Sequence, residues 1–213
     1  MLGIVNYGAF VASTVALCLT PGIDTVYILT RSLAGGRRDG VASALGINTG
    51  LLVHTVLVAT GLSLLLSACE PAFFAVKLCG AAYLVVMGIK SIVAAARGEA
   101  GALTVGEGDQ ASDPRKTYLQ GVATNVLNPK IVLFFLALLP QFVSPANAFG
   151  PVPFLVLGLT YVVFSTAWTL VLVMASAPLS GWLSSNESAG RVTVVVSGLV
   201  YMALGAMVFA TKS

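Results

Sequence analysis

Residues 154–177 read FLVLGLTYVVFSTAWTLVLVMASA, a stretch without one Lys, Arg, Asp or Glu. A helix needs about 20 apolar residues to cross a bilayer core, so this segment is long enough to be a membrane span. It lies inside a longer uncharged run, 131–186, and further runs of the same kind occupy 1–23, 40–69 and 192–211. Of 213 residues, 57% are apolar and only 9% are charged, against roughly 25% charged in ordinary soluble domains. A water-facing surface of this size would need several times more charge. The chain is therefore read as an all-α, membrane-embedded protein.

Working outward from that segment, six spans are expected: Asn6 to Thr20 continuing past Pro21 to about Thr30, Val41 to Ser67, Ala72 to Ala96, Tyr118 to Leu139, Phe154 to Ala177, and Val192 to Ala210. Residues 98–117 hold Gly98, Gly101, Gly106, Gly108 and Pro114 among several charges, a composition that does not bury itself. They are expected to form a polar cytoplasmic loop within one transporter domain, 1–213, dividing it into pseudo-repeats 1–97 and 118–213. The Lys and Arg tally sets the orientation. With the N-terminus outside, the inner connections carry Arg31, Arg37, Arg38, Lys90, Arg97, Arg115, Lys116 and Arg191, and the outer ones only Lys77 and Lys212. Both termini are thus expected outside the cytoplasm. Three spans per half is an odd number, so the second half runs through the membrane upside down relative to the first, the inverted repeat of many transporters.

The two halves share one pointed match. Leu19-Thr20-Pro21-Gly22-Ile23-Asp24 corresponds to Leu127-Asn128-Pro129-Lys130-Ile131-Val132, in the first helix of each half. Each reads as a polar cap, a proline and a restarted apolar helix. A proline deep in a span frees carbonyls that lipid cannot satisfy, so the first and fourth helices are expected to break there and to face protein or a wet cavity. A restarted helix presents amides and partial positive charge, and two such ends would cradle a carboxylate. The alternative is that both prolines only kink packed helices.

Each break has an ionisable neighbour. Asp24 is the one acid this reading puts at membrane depth, where a carboxylate is expensive; it would bind a substrate ammonium or carry a proton, or else serve as a charge in the first helical turn. Lys130 sits against the dipole of its own helix, so a compensating partner is expected: the substrate carboxylate, Asp24, or, if the side chain snorkels, the interface. His54 lies on a stripe with Gly46, Gly50 and Gly61, which reads as a packing face with a hydrogen-bonded histidine or as a proton relay. Tyr161, Ser165, Trp168, Leu172 and Ser176 share another helical face.

Several functions are disfavoured by composition. One histidine and three cysteines (Cys18, Cys69, Cys79) without a CxxC pattern supply no familiar metal or haem constellation, so neither metal nor cofactor is expected. Basic residues beside apolar runs orient a membrane protein rather than bind nucleic acid. The N-terminus lacks a basic leader region and is read as a retained span. An intramembrane aspartyl protease would need a second acid beside Asp24, such as Asp39, and no nucleophile turn accompanies His54, so an enzyme is not expected. A passive channel is the alternative to a carrier.

Taken together, Thr20-Pro21-Gly22-Ile23-Asp24-Thr25, Gly35-Gly36-Arg37-Arg38-Asp39-Gly40, Ala44-Leu45-Gly46-Ile47-Asn48-Thr49-Gly50, Lys77-Leu78-Cys79-Gly80-Ala81-Ala82-Tyr83-Leu84 and Asn125-Val126-Leu127-Asn128-Pro129-Lys130, in that order, resemble the LysE/RhtB family of amino-acid exporters. One departure is Ile23, where that family usually completes a Pro-Gly-Pro. The resemblance implies an inner-membrane efflux carrier driven by the proton gradient, with Pro21 to Asp24 and Asn128 to Lys130 forming the central site; with the residue reading above, Thr20, Pro21, Gly22, Asp24, Asn128, Pro129 and Lys130 are expected to bind substrate and Asp24 or His54 to couple protons. Its cargo would be a small neutral amino acid or derivative, of the threonine, homoserine, homoserine lactone or leucine type, since lysine-type specificity calls for further buried acids. Protons and membrane lipid are the other partners, and a homo-oligomer is compatible with this reading.

Overall fold

A computed structural model describes residues 2–68, 70–97, 113–176 and 187–210. Seven helices, and no strands, occur among the described residues: α1 (Tyr7–Leu19), α2 (Ile23–Ala68), α3 (Glu70–Ala96), α4 (Pro114–Val126), α5 (Pro129–Leu133), α6 (Val152–Met174) and α7 (Glu187–Ala210). Past Leu133 the chain first widens into a π-turn, Phe134–Leu138, then tightens into a 3-10 turn, Leu139–Phe142. Ile23–Leu62 and Val152–Met174 are long and apolar enough to cross a membrane, and Pro114–Val126 with Pro129–Phe142, bent by 46°, makes a third candidate. The bundle's outer surface is apolar in keeping with this: Val163 and Met174 on α6 are more than two-thirds exposed, at 67% and 69%.

Both expected proline breaks are present. α1 stops at Leu19 and α2 starts at Ile23; α4 stops at Val126 and α5 starts at Pro129. Three boundaries differ from the sequence reading by about a turn or more: α7 starts at Glu187 rather than Val192, and the other two lie nearer the breaks. The stretch between Thr30 and Val41, read as a connection, is helical on both sides of Gly36, whose φ of 69° and ψ of −165° only glycine adopts cheaply. The chain folds back at that residue, since a side-chain atom at Gly40 would collide with the Ser32 hydroxyl, which a straight helix would hold about 12 Å away. The fourth helix begins at Pro114 rather than Tyr118, because Asp113 accepts a hydrogen bond from the Arg115 amide (2.9 Å) and Pro114 suits the first helical position. Residues 114–117 therefore belong to α4, with Asp113 as its cap. Loop residues 98–112, with Cys69 and Lys212, lie outside the described residues.

Small residues set the packing. Gly46 of α2 faces the Tyr118 carbonyl and Gly121 of α4, and Gly50 faces Asn125. His54 continues this face, so the expected packing stripe holds there. Gly61 has nothing within 4 Å and does not take part. On the other side of the bundle, Gly88 of α3 opposes Gly198 and Met202 of α7, while Gly205 of α7 opposes Ala81 and Val85 of α3. That crossed register is an antiparallel pair in close contact. Between these seams Phe10, Phe134, Phe135, Phe142, Phe154 and Tyr161 form the buried core, with the Phe134 and Tyr161 rings stacked at 4.8 Å.

A side chain at Gly46 meets backbone, which cannot move aside. Gly46→Leu is expected to destabilise the protein by at least about 1–3 kcal/mol, whereas Gly61→Leu leaves stability nearly unchanged. Thermal unfolding of the two variants in detergent checks the contrast.

Candidate functional site

The site is built from the two breaks. Thr20 and Asn128, each preceding a proline, have nearly identical backbone angles: φ −76°, ψ 109° and φ −74°, ψ 109°. A following proline enforces this extended conformation, so each helix must stop there. Their side chains act differently. Asn128 caps α5 as expected, its Oδ1 accepting from the Lys130 amide at 3.0 Å. The Thr20 hydroxyl instead points backward and donates to Ala16 O at 2.7 Å, so it finishes α1 and does not cap α2. The amides at the start of α5, expected to be bare, are in use: Ile131 and Val132 both donate to the Asn128 carbonyl, at 3.0 and 3.1 Å.

Lys130 has the compensating partner that its position demands, and that partner is backbone. Its Nζ donates to Thr20 O at 2.6 Å and to Leu17 O at 3.1 Å. A cation at the C-terminal end of α1 complements that helix's dipole and occupies carbonyls that the proline break set free. The side chain does not snorkel: Lys130 is only 9% exposed, and its Nζ lies 5.9 Å from the centre of the Tyr201 ring. Gly22 lies alongside it, where a Cβ would be in ordinary van der Waals contact with Lys130 Cδ at 3.5 Å.

Asp24, in the first turn of α2, accepts a hydrogen bond from Asn125 Nδ2 through Oδ2 at 2.9 Å. Asn125 also joins the two proton-coupling candidates, because its backbone carbonyl accepts from His54 at 3.2 Å. A carbonyl cannot donate, so the His54 proton at this contact is on Nε2. The imidazole also stacks on Phe135, centroids 5.7 Å apart. Asp39 is buried on the far side of the Gly36 bend and is not among the groups that act on Asp24.

A hollow of about 30 Å³ lies between the breaks, room for about two waters. Of the residues expected to bind substrate, Thr20, Gly22, Asp24, Asn128 and Lys130 line it; Pro21 and Pro129 shape the breaks without lining it. His54 stands outside it, behind Asn125. The far wall is the α6 face foreseen from spacing, contributing Tyr161, Ser165, Trp168 and Leu172. Three buried side-chain atoms of lining residues make no hydrogen bond of good geometry, Asp24 Oδ1, Asn128 Nδ2 and Trp168 Nε1, and the Asn128 amide lies near enough to the Asp24 carboxyl to interact with it. Buried polar atoms are rarely left so in a folded protein. Here one anionic acceptor and two neutral donors converge on one small space.

Sequence reasoning did not assign Asn125 or Tyr201 to the site. Asn125 lies one helical turn before Asn128, a signal that spacing alone could have raised. Tyr201 has no such signal, because only the packing of α7 brings it to Lys130. The lysine's structural role is testable: Lys130→Met leaves the Thr20 carbonyl bare in an apolar interior and is expected to cost about 1–3 kcal/mol of stability. Thermal unfolding in detergent measures this, with the exposed Lys90→Met as the unaffected control.

Comparison with known proteins matches these features to a family. The description LysE type translocator fits residues 15–212. Among similar proteins, the homoserine/homoserine lactone efflux protein of Salmonella typhimurium is 29% identical over 96% of this chain and 96% of its own length. The leucine efflux protein of Klebsiella pneumoniae is 27% identical over 99% of this chain and 98% of its own length. An uncharacterized membrane protein of Vibrio cholerae is 32% identical over 96% and 97%. No solved structure matches the chain. The family match over nearly the whole chain, with efflux proteins among its relatives, makes this a membrane translocator rather than an enzyme, and the chain belongs to the LysE type translocator family.

Proposed function

We propose that this protein is a carrier that exports small neutral amino acids or their derivatives across the cell inner membrane in exchange for protons. The observation that carries the reading is the set of polar atoms around the hollow that make no hydrogen bond of good geometry. Asp24 Oδ1 suits an ammonium group, and Asn128 Nδ2 with Trp168 Nε1 suits a carboxylate. A zwitterion with an uncharged side chain satisfies all three and needs no further buried acid. Homoserine, homoserine lactone and leucine, named for the similar efflux proteins, are the cargo class to test first.

Thr20, Pro21, Gly22, Asp24, Asn128, Pro129 and Lys130 form the proposed binding segments. Asp24 carries either a proton or the cargo's ammonium, and that competition for one carboxylate couples the two fluxes in opposite directions. His54, joined to Asp24 through Asn125, is the second proton-coupling group. The hollow is too small for an amino acid as it stands, so loading requires the breaks to part. Two inverted three-span repeats, 1–97 and 118–213, rocking about the breaks would do this. In support, Thr20 and Asn128 share their backbone angles, and α3 and α7, the last helices of the two halves, pack antiparallel in crossed register. In this arrangement both termini lie outside the cytoplasm and the 98–117 segment, with the start of α4, lies inside.

Asp24→Asn keeps the side chain's shape and removes its charge. It is expected to lower proton-driven accumulation of homoserine or leucine in inverted membrane vesicles by roughly 10- to 100-fold, the equivalent of about 1.5–3 kcal/mol for a charged hydrogen bond, with membrane protein level retained. Wild-type flux that an uncoupler leaves untouched would point to a passive channel instead.

A further inference from the structure

A second, larger space lies on the opposite side of Asn128 from the hollow. The first half of α2 and α4 run antiparallel there and leave an open groove of about 480 Å³, within the ~300–1,000 Å³ range of small-molecule sites. Ile23 and Leu127, both largely exposed, line it on either side near Asn128, which also lines the hollow. Tyr27, Arg31 and Gln120 form its mouth. Asp24, Tyr27 and Arg31 fall at i, i+3 and i+7, so one face of α2 carries an acid at the hollow and a cation at the groove's mouth about 10 Å away.

Arg31 is held but not neutralised. Its Nη2 donates to Gln120 Oε1 at 2.8 Å, and the guanidinium lies 5.6 Å from the centre of the Tyr27 ring. Tyr27 is itself fixed by donating to Thr117 O at 2.7 Å. Both partners of Arg31 are uncharged, and among the described residues no carboxylate pairs with it. A planar fork with donors to spare, at the mouth of a partly apolar groove, fits a carboxylate attached to a small apolar body.

We propose that this groove is the cytoplasmic vestibule of the carrier, where Arg31 receives the carboxylate of an amino acid with an uncharged side chain before the amino acid passes Asn128 to reach Asp24. This rests on the carrier reading above. Asn128 alone is common to the linings of groove and hollow, so a movement of this one side chain would join them. Polar groups along it, from Gln120 and Thr124, have no use to a lipid tail. Lys130 ties α5 to the end of α1, so in this proposal the cargo reaches the hollow from the groove side.

The test is efflux from cells or vesicles loaded with graded concentrations of leucine or homoserine, for wild type, Arg31→Gln and Arg31→Lys, with membrane protein levels and thermal stability measured alongside. Arg31→Gln is expected to raise the half-saturating cargo concentration at least about tenfold while the rate at saturation changes little. Arg31→Lys, which keeps the charge without the fork, falls between. Leucinamide, which lacks the carboxylate, competes from the groove side equally well in wild type and Arg31→Gln. An unchanged half-saturating concentration in a well-folded Arg31→Gln protein, while wild type exports normally, would overturn the vestibule alone. An effect that follows the anionic phospholipid content of the vesicles and not the cargo's carboxylate would assign the groove to lipid and overturn it too. Wild-type protein that exports neither amino acid would overturn the carrier reading and the vestibule together.

Discussion

A helix that ends inside a membrane protein leaves carbonyl oxygens with no water to bind them, and everything distinctive about this bundle follows from how α1 solves that problem. Its last carbonyls, Leu17 O and Thr20 O, are taken by the ammonium of Lys130, which reaches over from the other break. One side chain thereby satisfies freed backbone, places a cation where α1's dipole favours it, and ties the two breaks together. The second break uses a different device. Asn128 caps α5 with its side-chain oxygen and collects the next amides with its carbonyl.

At the breaks it is side chains that take up freed backbone groups, Lys130 at the end of α1 and Asn128 at the start of α5. In the proposed carrier, Asp24 Oδ1, Asn128 Nδ2 and Trp168 Nε1 add side-chain groups to the helix ends that the sequence pointed to. The glycine seams make this arrangement possible. Gly50 lets α2 approach α4 so closely that Asn125 reaches Asp24 with its amide and His54 with its carbonyl. A larger residue at that crossing would separate the acid from the histidine, so packing and chemistry are set by the same contact.

Much of this was legible in the residues themselves. The uncharged runs required helices in lipid, since no other open structure satisfies its backbone there. Pro21 and Pro129 required interruptions, because proline offers no amide to the preceding turn and forces the residue before it out of the helix. The α6 face bearing Tyr161, Ser165 and Trp168 followed from helical spacing alone, and it does line the hollow. The single-residue reversal at Gly36 was not legible. Two adjacent glycines among charged residues look like an ordinary connection until the chain on either side is seen to stay helical.

What the sequence settled by itself is local: which segments are apolar, where the helices must stop, and that an acid and a lysine sit beside those stops. These depend on backbone sterics and on transfer from water to hydrocarbon, which each residue carries with it. What only tertiary structure decided is which groups meet. Lys130 donates to carbonyls 110 and 113 residues away, Tyr201 comes to it from α7, and among the described residues Arg31 has no carboxylate partner. Pairing across such distances depends on how seven helices cross, and a linear pattern holds no record of those crossings.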